Sequence, residues 1–464
     1  MSDFVPPYPT RPSRPLSALA LLRALTRNFV AVWPKIAFDY EFFSTRLLSR
    51  RVFICNSPDT VNYAFVSHNA QFERKSPQMR HALKPLLGDG LFISDGETWR
   101  ARRRVVAPIV HVSRLPLFAP IMVEVAAEAA ERWARLPAGA PIDALSEMAE
   151  LTAEIICRTI FGRRLGGDHA KAVVRSFSAY QRKIGQMDFL SLIGLPDWLP
   201  RLYGLSIRRS ARRIHRILDE IIESYRARPR DSEASVIGLL LDARDPETGE
   251  ALDPEALRSE AAVIFMAGHE TTANSLAWTW YLLSQAPDVE ARLHDELAVV
   301  LGGRLPTLDD VPRLVYTRAV FEETLRLYPP VPILSRQALS DEVIRGRKIK
   351  AGSLLLVVPW LLHRHKRIWD KPDHFMPERF LPGNAAARPK GAYVPFSTGP
   401  RICAGAAFGL TEAVLCLATL AQRFRLRLQP GAAVQPVCRL TLRPGKRLPM
   451  TVHSYGAVLG AAAQ

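Results

Sequence analysis

Pro395-Phe396-Ser397-Thr398-Gly399-Pro400-Arg401-Ile402-Cys403-Ala404-Gly405 sets a cysteine between a Gly/Pro turn and a run, Ala406 to Leu417, that reads as a helix apolar on most faces. A sulfur at a helix N-terminus meets free backbone N–H groups and the positive end of the helix dipole, both of which favour thiolate. Gly399 and Gly405 allow the backbone to approach something flat and bulky. Arg401 supplies a cation for a carboxylate. A lone cysteine in such a place is more often a buried small hydrophobe, so the neighbours decide the reading.

Working outward, the chain has 464 residues, 48% of them apolar, and a net charge of +17. It is read as a Pro-rich arm over residues 1–15, followed by one domain over 16–464, with no internal repeat or low-complexity linker. No run reaches the roughly 18 apolar residues a membrane span requires. The best N-terminal candidate, Leu16 to Leu22, is stopped by Arg23 and follows five prolines, not a signal-peptide basic region. The expectation is a cytoplasmic protein without a transmembrane anchor. Five scattered cysteines without a C-x-x-C pair argue against a disulfide framework, a zinc ribbon or an iron–sulfur cluster. The positive charge would suit nucleic acid, an anionic membrane surface or an acidic protein. It is dispersed in short clusters (Arg100 to Arg104, Arg208 to Arg213, Arg364 to Arg367) with no nucleic-acid motif, and nucleic acid is not expected as a partner.

Periodicity predicts a mainly α chain with a minor β portion. Helices are expected over Leu16–Trp33, from Pro58 through Val66, and over Ala119–Leu136 with Pro120 in the first turn. Further ones are expected over Ala144–Phe161, Asp168–Gly185, Ser206 to Arg228, Asp253–Ser284 and Arg313–Leu327. Ser76 to Asp95 reads as broken. Strands are expected at Arg51–Cys55, Lys348–Lys350, Ser353–Val358, Phe424–Leu428, Leu440–Leu442 and Met450–His453.

The middle of the longest helix carries Ala267-Gly268-His269-Glu270-Thr271-Thr272-Ala273-Asn274, a polar run inside apolar flanks. Buried polar groups cost free energy unless bonded, and a carboxylate costs most. The Thr271 hydroxyl can bond back to a helical carbonyl, loosening the ladder, and Glu270 beside it could pass protons inward. A satisfied Thr/Glu pair in the core is the plain alternative. Glu323 and Arg326 stand at i and i+3 on one helix face. Trp99 and Arg103 are one helical turn apart.

Phe396-x-x-Gly399-x-Arg401-x-Cys403-x-Gly405 resembles the cysteine loop of the cytochrome P-450 family, the haem-thiolate monooxygenases, in five positions of ten. Ala267-Gly268-x-Glu270-Thr271 is similar to that family's oxygen-activating motif, and Trp99-x-x-x-Arg103 to its propionate-binding one. The matches run in family order from Trp99 to Gly405, about two thirds of the chain. The resemblance implies a single large helical haem-thiolate fold, with haem b (iron protoporphyrin IX) held by the Cys403 thiolate. It implies that Trp99, Arg103, Arg336, Phe396, Arg401 and Gly405 contribute to the cofactor site. Glu270 and Thr271 would be catalytic, and Glu323, Arg326 and Arg379 would form a structural triad supporting the cysteine loop.

The expected activity is activation of O2 and insertion of one oxygen atom into a hydrophobic small molecule: a fatty acid, terpenoid or aromatic. No flavin or nicotinamide fingerprint is present, so the resemblance implies a ferredoxin or flavodoxin with its reductase as electron source. Two other readings remain at this point. A haem-binding sensor or carrier would have no use for a proton relay such as Glu270-Thr271. A peroxide-driven hydroxylase typically replaces that pair, which is intact here. The expected pocket lining comprises Ser76–Asp95, Asp168–Leu205, His269, Val331 to Leu334 and the Leu440–Leu442 turn.

Overall fold

A computed structural model of the chain describes residues 4–47, 50–162, 176–177, 179–180, 205–227, 235–438 and 440–455. In chain order the longer helices are α1 (Ala18–Arg27), α2 (Pro77–Leu87), α3 (Gly96–Val106), α4 (Leu115–Ala134), α5 (Ala144–Phe161) and α6 (Leu205–Arg226). They continue with α7 (Val236–Asp242), α8 (Pro254–Gln285), α9 (Pro287–Leu301), α10 (Val315–Leu327) and α11 (Ala406–Ala421). The strands are β1 (Phe42–Leu47), β2 (Arg50–Cys55), β3 (Arg74–Lys75), β4 (Ala140–Asp143), β5 (Leu334–Gln337) and β6 (Glu342–Ile344). After them come β7 (Arg347–Ile349), β8 (Leu354–Val357), β9 (Phe424–Leu428), β10 (Val437–Cys438), β11 (Leu442–Arg443) and β12 (Pro449–Ser454). The architecture is mainly helical with a minor strand portion, as the sequence predicts.

Helix α8 is the axis. Asp253 caps it, its Oδ1 accepting from the Ala256 N–H at 2.7 Å, and Pro254 fits the first turn, where no N–H is needed. Its 32 residues span about 48 Å. Apolar residues occur around most of its circumference because it runs through the core. It packs against α5, α9, α10 and α11. At its C-terminal half Trp278 stacks on Tyr328, with ring centroids 3.6 Å apart.

Several local expectations are corrected. The segment after Ser76 is ordered as helix α2, because the Ser76 hydroxyl caps the Met79 N–H at 3.4 Å and Pro77 opens the first turn. Helix α4 begins at Leu115, so Pro120 lies inside it and Pro116 occupies the first turn. Helix α1 stops at Arg27: Asn28 is extended, and its Oδ1 accepts from the backbone of Val30 and Cys438. Helices α7 and α9 had no counterpart among the expected elements. The expected helix over Asp168–Gly185 lies almost wholly outside the described residues.

The largest sheet has the order β1-β2-β8-β5-β3. Only β2 with β8 runs parallel in it, and β3 opposite β5 sets Lys75 against Arg336. A second sheet joins β4, β12 and β9, and the β10–β11 hairpin returns the chain to α8. The N-terminal arm lies extended over the body: Tyr328 donates to the Pro7 carbonyl at 2.7 Å, and Arg11 pairs with Asp373. Among the described residues no helix is long and apolar enough to cross a membrane.

Candidate active site

Cys403 stands just before α11, at the floor of a cavity whose opposite wall is α8. Its backbone N–H donates to the Phe396 carbonyl at 2.9 Å, and Ile402 N–H to that of Gly399 at 3.0 Å, so the loop closes on itself. The sulfur is deep in the protein yet bare, because what it faces is the cavity. Burial pushes its pKa up. The Gly405 N–H, Arg103 and Lys75 act in the other direction, towards thiolate. Gly405 also lines the cavity, and a side chain there would meet only open space. Gly399 has a different task. Its φ is +72°, and a Cβ would collide with the Phe65 carbonyl, so glycine is required for the loop to seat on the backbone beneath it.

The loop is anchored from outside. Arg103 of α3 donates to the Ile402 carbonyl at 2.9 Å. Further back, Glu323 and Arg326 form a doubly bonded pair at 2.6 and 2.7 Å with no solvent exposure. Arg326 also donates to the carbonyls of His363, Pro372 and His374, while Glu323 accepts from the Met376 N–H and lies 3.5 Å from Arg379. His363 Nε2 in turn accepts from the Val394 N–H at 2.9 Å. A buried ion pair is thereby tied, through backbone groups, to the segment leading into the cysteine loop.

Two of the expected cofactor-binding cations, Arg103 and Arg401, line one edge of the cavity, the third, Arg336, is buried behind them, and a further cation joins them. Arg336 is fully buried, with its guanidinium 4.6 Å from the centre of the Phe65 ring. Arg401 lies over the Trp99 ring at 4.6 Å and donates to the Ser94 carbonyl. Arg103 lines the same space. Lys75, which sequence reasoning missed, is added by the β3–β5 register. Burial holds the pKa values of Lys75, Arg336 and Arg401 down, Arg336 to about 9 and Arg401 to about 10, and their mutual repulsion adds to this. The Nε groups of Arg336 and Arg401 and the Ser397 hydroxyl have no protein partner. Crowded buried cations with spare donors suit a group that brings its own carboxylates. A bare cysteine, a largely apolar cavity and this cationic edge fit an iron porphyrin with propionate side chains.

On the α8 wall, Thr271 Oγ1 donates to the Ala267 carbonyl at 2.6 Å. Glu270 faces the C-terminal hairpin: its carboxylate accepts from the Thr441 hydroxyl and from Arg443, each at 2.7 Å. Asn274 donates to the same Thr441 at 3.1 Å. Both Glu270 and Thr271 line the cavity. Thr272 bonds the buried Glu412 of α11, whose pKa burial raises to about 8. One expectation fails here. His269 turns away, its Nε2 at 3.1 Å from the Ala149 carbonyl of α5. Gly268 makes room for Ile156 of α5, since a Cβ would lie 2.7 Å from that side chain. The remaining lining is largely aliphatic and includes Met79, Leu83, Leu91, Val263, Val331, Ile333 and Leu440. The expected contribution of Asp168–Leu205 falls almost entirely outside the described residues.

The fold and this site define a haem-iron oxygenase. The chain belongs to the cytochrome P450 family: the sequence model of that family, described as Cytochrome P450, matches residues 6–449. It is 34% identical to cyclooctatin synthase of Streptomyces melanosporofaciens over 432 residues, 93% of this chain and 92% of that protein. It is 31% identical to pentalenene oxygenase of Streptomyces avermitilis, with 79% and 80% covered. Among solved structures it is similar to the haem domain of cytochrome P450DA, with a TM-score of 0.80, 26% identity and 97% of each chain covered. The chain is an oxygen-incorporating oxidoreductase with haem iron as cofactor, acting on an organic substrate with O2 and a redox partner.

Proposed function

We propose that this chain is a monooxygenase of carbocyclic terpenoids, using haem b held by the Cys403 thiolate. The observation that carries the thiolate assignment is the position of Cys403: bare sulfur, helix N-terminus, cations on the same cavity. Bound haem supplies the iron at which dioxygen is reduced and cleaved. Trp99, Arg103, Arg336, Phe396, Arg401 and Gly405 would hold that group, together with Lys75. Glu270 and Thr271 would time the delivery of protons on the opposite wall. The terpenoid reading, in preference to fatty acid or aromatic, is supported by the aliphatic lining and by relatives named cyclooctatin synthase, cyclooctat-9-en-7-ol 5-monooxygenase and pentalenene oxygenase.

The reduced carbon monoxide complex should show the red-shifted Soret band of thiolate-bound haem, and Cys403→His should lose it while still binding haem. Retention of the shift would move the ligand to another cysteine. Substrate class is tested by spin-state difference spectra with cyclic terpenes, fatty acids and aromatics; a response confined to the last two would overturn the terpenoid reading.

Electrons would come from an acidic ferredoxin, or a flavodoxin, with its reductase, in the cytoplasm. Five cysteines, buried or facing the cavity and none in a C-x-x-C pair, suit that reducing compartment. Arg104 is committed to Asp245, Glu97 and Glu247, and Arg401 is buried. Exposed Arg114, on the same surface depression as Arg103, is therefore the better docking cation. Arg114→Glu should slow reduction by ferredoxin at low salt and not at high salt.

A further inference from the structure

We propose that the outer face of α6 docks the protein on an anionic lipid bilayer. The inner side of this helix is accounted for: Ala211, Ile214, Leu218, Ile221 and Ile222 are buried. The outer side carries Arg208, Arg209, Arg212, Arg213 and Arg216, all exposed. At about 100° per residue these five fall within an arc of about 140°. None of them has an ion pair or a hydrogen bond among the described residues. The acids Asp219, Glu220 and Glu223 share this arc one to two turns later; Asp219 pairs with Arg258 and Glu223 with Arg226, so only exposed Glu220 is left against the five arginines and the face stays strongly positive. Five like charges at close range repel one another, and an anionic counter-surface relieves that. Leu205, 71% exposed, lies in the middle of the same arc.

The occupant follows from where the helix sits. α6 packs on α2, α7 and α8, and His215 lies 2.7 Å from the Leu86 carbonyl of α2. α2 also supplies Met79 and Leu83 to the cavity wall. The cationic face is therefore the outside of the cavity roof, whereas the cysteine loop is braced by α3 and leads into α11. An electron donor must approach the latter side. Among the described residues this face carries no aromatic side chain on which a base could stack and no nucleic-acid-binding motif, so nucleic acid is the weaker occupant. A bilayer offers both what the arginines need, a plane of anionic headgroups, and what an aliphatic cavity needs, a store of apolar molecules. An exposed leucine among the arginines fits the headgroup boundary. Attachment would be peripheral.

The test is co-sedimentation of the haem-loaded protein with vesicles of phosphatidylcholine alone or with about 30 mol % phosphatidylserine. Binding should require the anionic lipid and disappear at high salt. Arg209→Gln/Arg212→Gln/Arg216→Gln should lower partitioning about 100-fold, at roughly fivefold per charge. The control Arg46→Gln/Arg51→Gln/Lys348→Gln removes the same charge from exposed positions on the β1, β2 and β7 strands and should lower it less than about fivefold. The carbon monoxide spectrum should be unchanged in both. Equal losses in the two variants, or no lipid-dependent binding at low salt, would overturn the proposal. So would α6-dependent binding of an acidic ferredoxin or a DNA duplex with vesicles ignored.

Discussion

Arg443 lies 2.7 Å from the carboxylate of Glu270, so the acid beside Thr271 is held by the C-terminal hairpin, not by its own helix. The pair is two thirds shielded on the arginine side and more so on the glutamate side. It connects the surface, through Thr441, with a cavity that both Glu270 and Thr441 line.

Glu270→Gln should lower turnover on the order of 100-fold, because a general acid is removed, with haem content and substrate-induced spectral shift retained. Arg443→Gln leaves the carboxylate and its Thr441 bond in place and should cost less than about tenfold. Steady-state turnover and its solvent isotope effect measure both. If Arg443→Gln falls as far as Glu270→Gln, the ion pair and not the acid is what the reaction needs.

Thr271→Ala removes the hydroxyl now bonded to the Ala267 carbonyl. Haem binding should be unchanged while electrons are diverted into hydrogen peroxide. The ratio of product to NAD(P)H consumed, in a reconstituted system, should fall; an unchanged ratio would exclude Thr271 from proton delivery.

Glu323→Gln keeps the shape of the buried pair and discards its charge, leaving Arg326 ionised without solvent. A loss of about 3–5 kcal/mol is expected, read from the urea midpoint of the haem-loaded protein. Because His363 and Val394 connect this pair to the cysteine loop, haem dissociation should accelerate in the same variant.

Glu260 of α8 is fully buried, accepting from the Leu91 N–H at 2.9 Å with Arg102 3.6 Å away. Burial raises its pKa to about 7, against about 4.3 in an unfolded chain. Between these values the folded state binds more protons, so this group's contribution is fully present below about pH 4.3 and is lost as pH rises through 7. Glu260→Gln keeps an acceptor for Leu91 and removes the titration. Its unfolding free energy relative to the parent should therefore rise across that window and level off above it.

The cysteine loop around Cys403, the Glu270–Thr271 pair and the Glu323–Arg326 pair were legible in the sequence because each depends on neighbours within about ten residues. Local spacing also gave α5 to the residue and α8 to within one at its end, where a cap, a proline and an unbroken apolar run coincide. Helix α2 was missed because Pro85 and the surrounding glycines read as breakers, whereas the Ser76 cap and burial of Leu83, Leu86 and Leu87 outweigh them. Gly268 and His269 sit inside the motif but serve the α5 contact, which no spacing along α8 reveals. Lys75 enters the cation cluster only because β3 pairs with β5, more than 250 residues away in sequence. Arg443 reaches Glu270 only because the last hairpin folds back on the middle of α8. Charge and hydrogen-bond partners are chosen in space, and at such separations the register of strands and the seating of helices, not the order of residues, decide which groups meet.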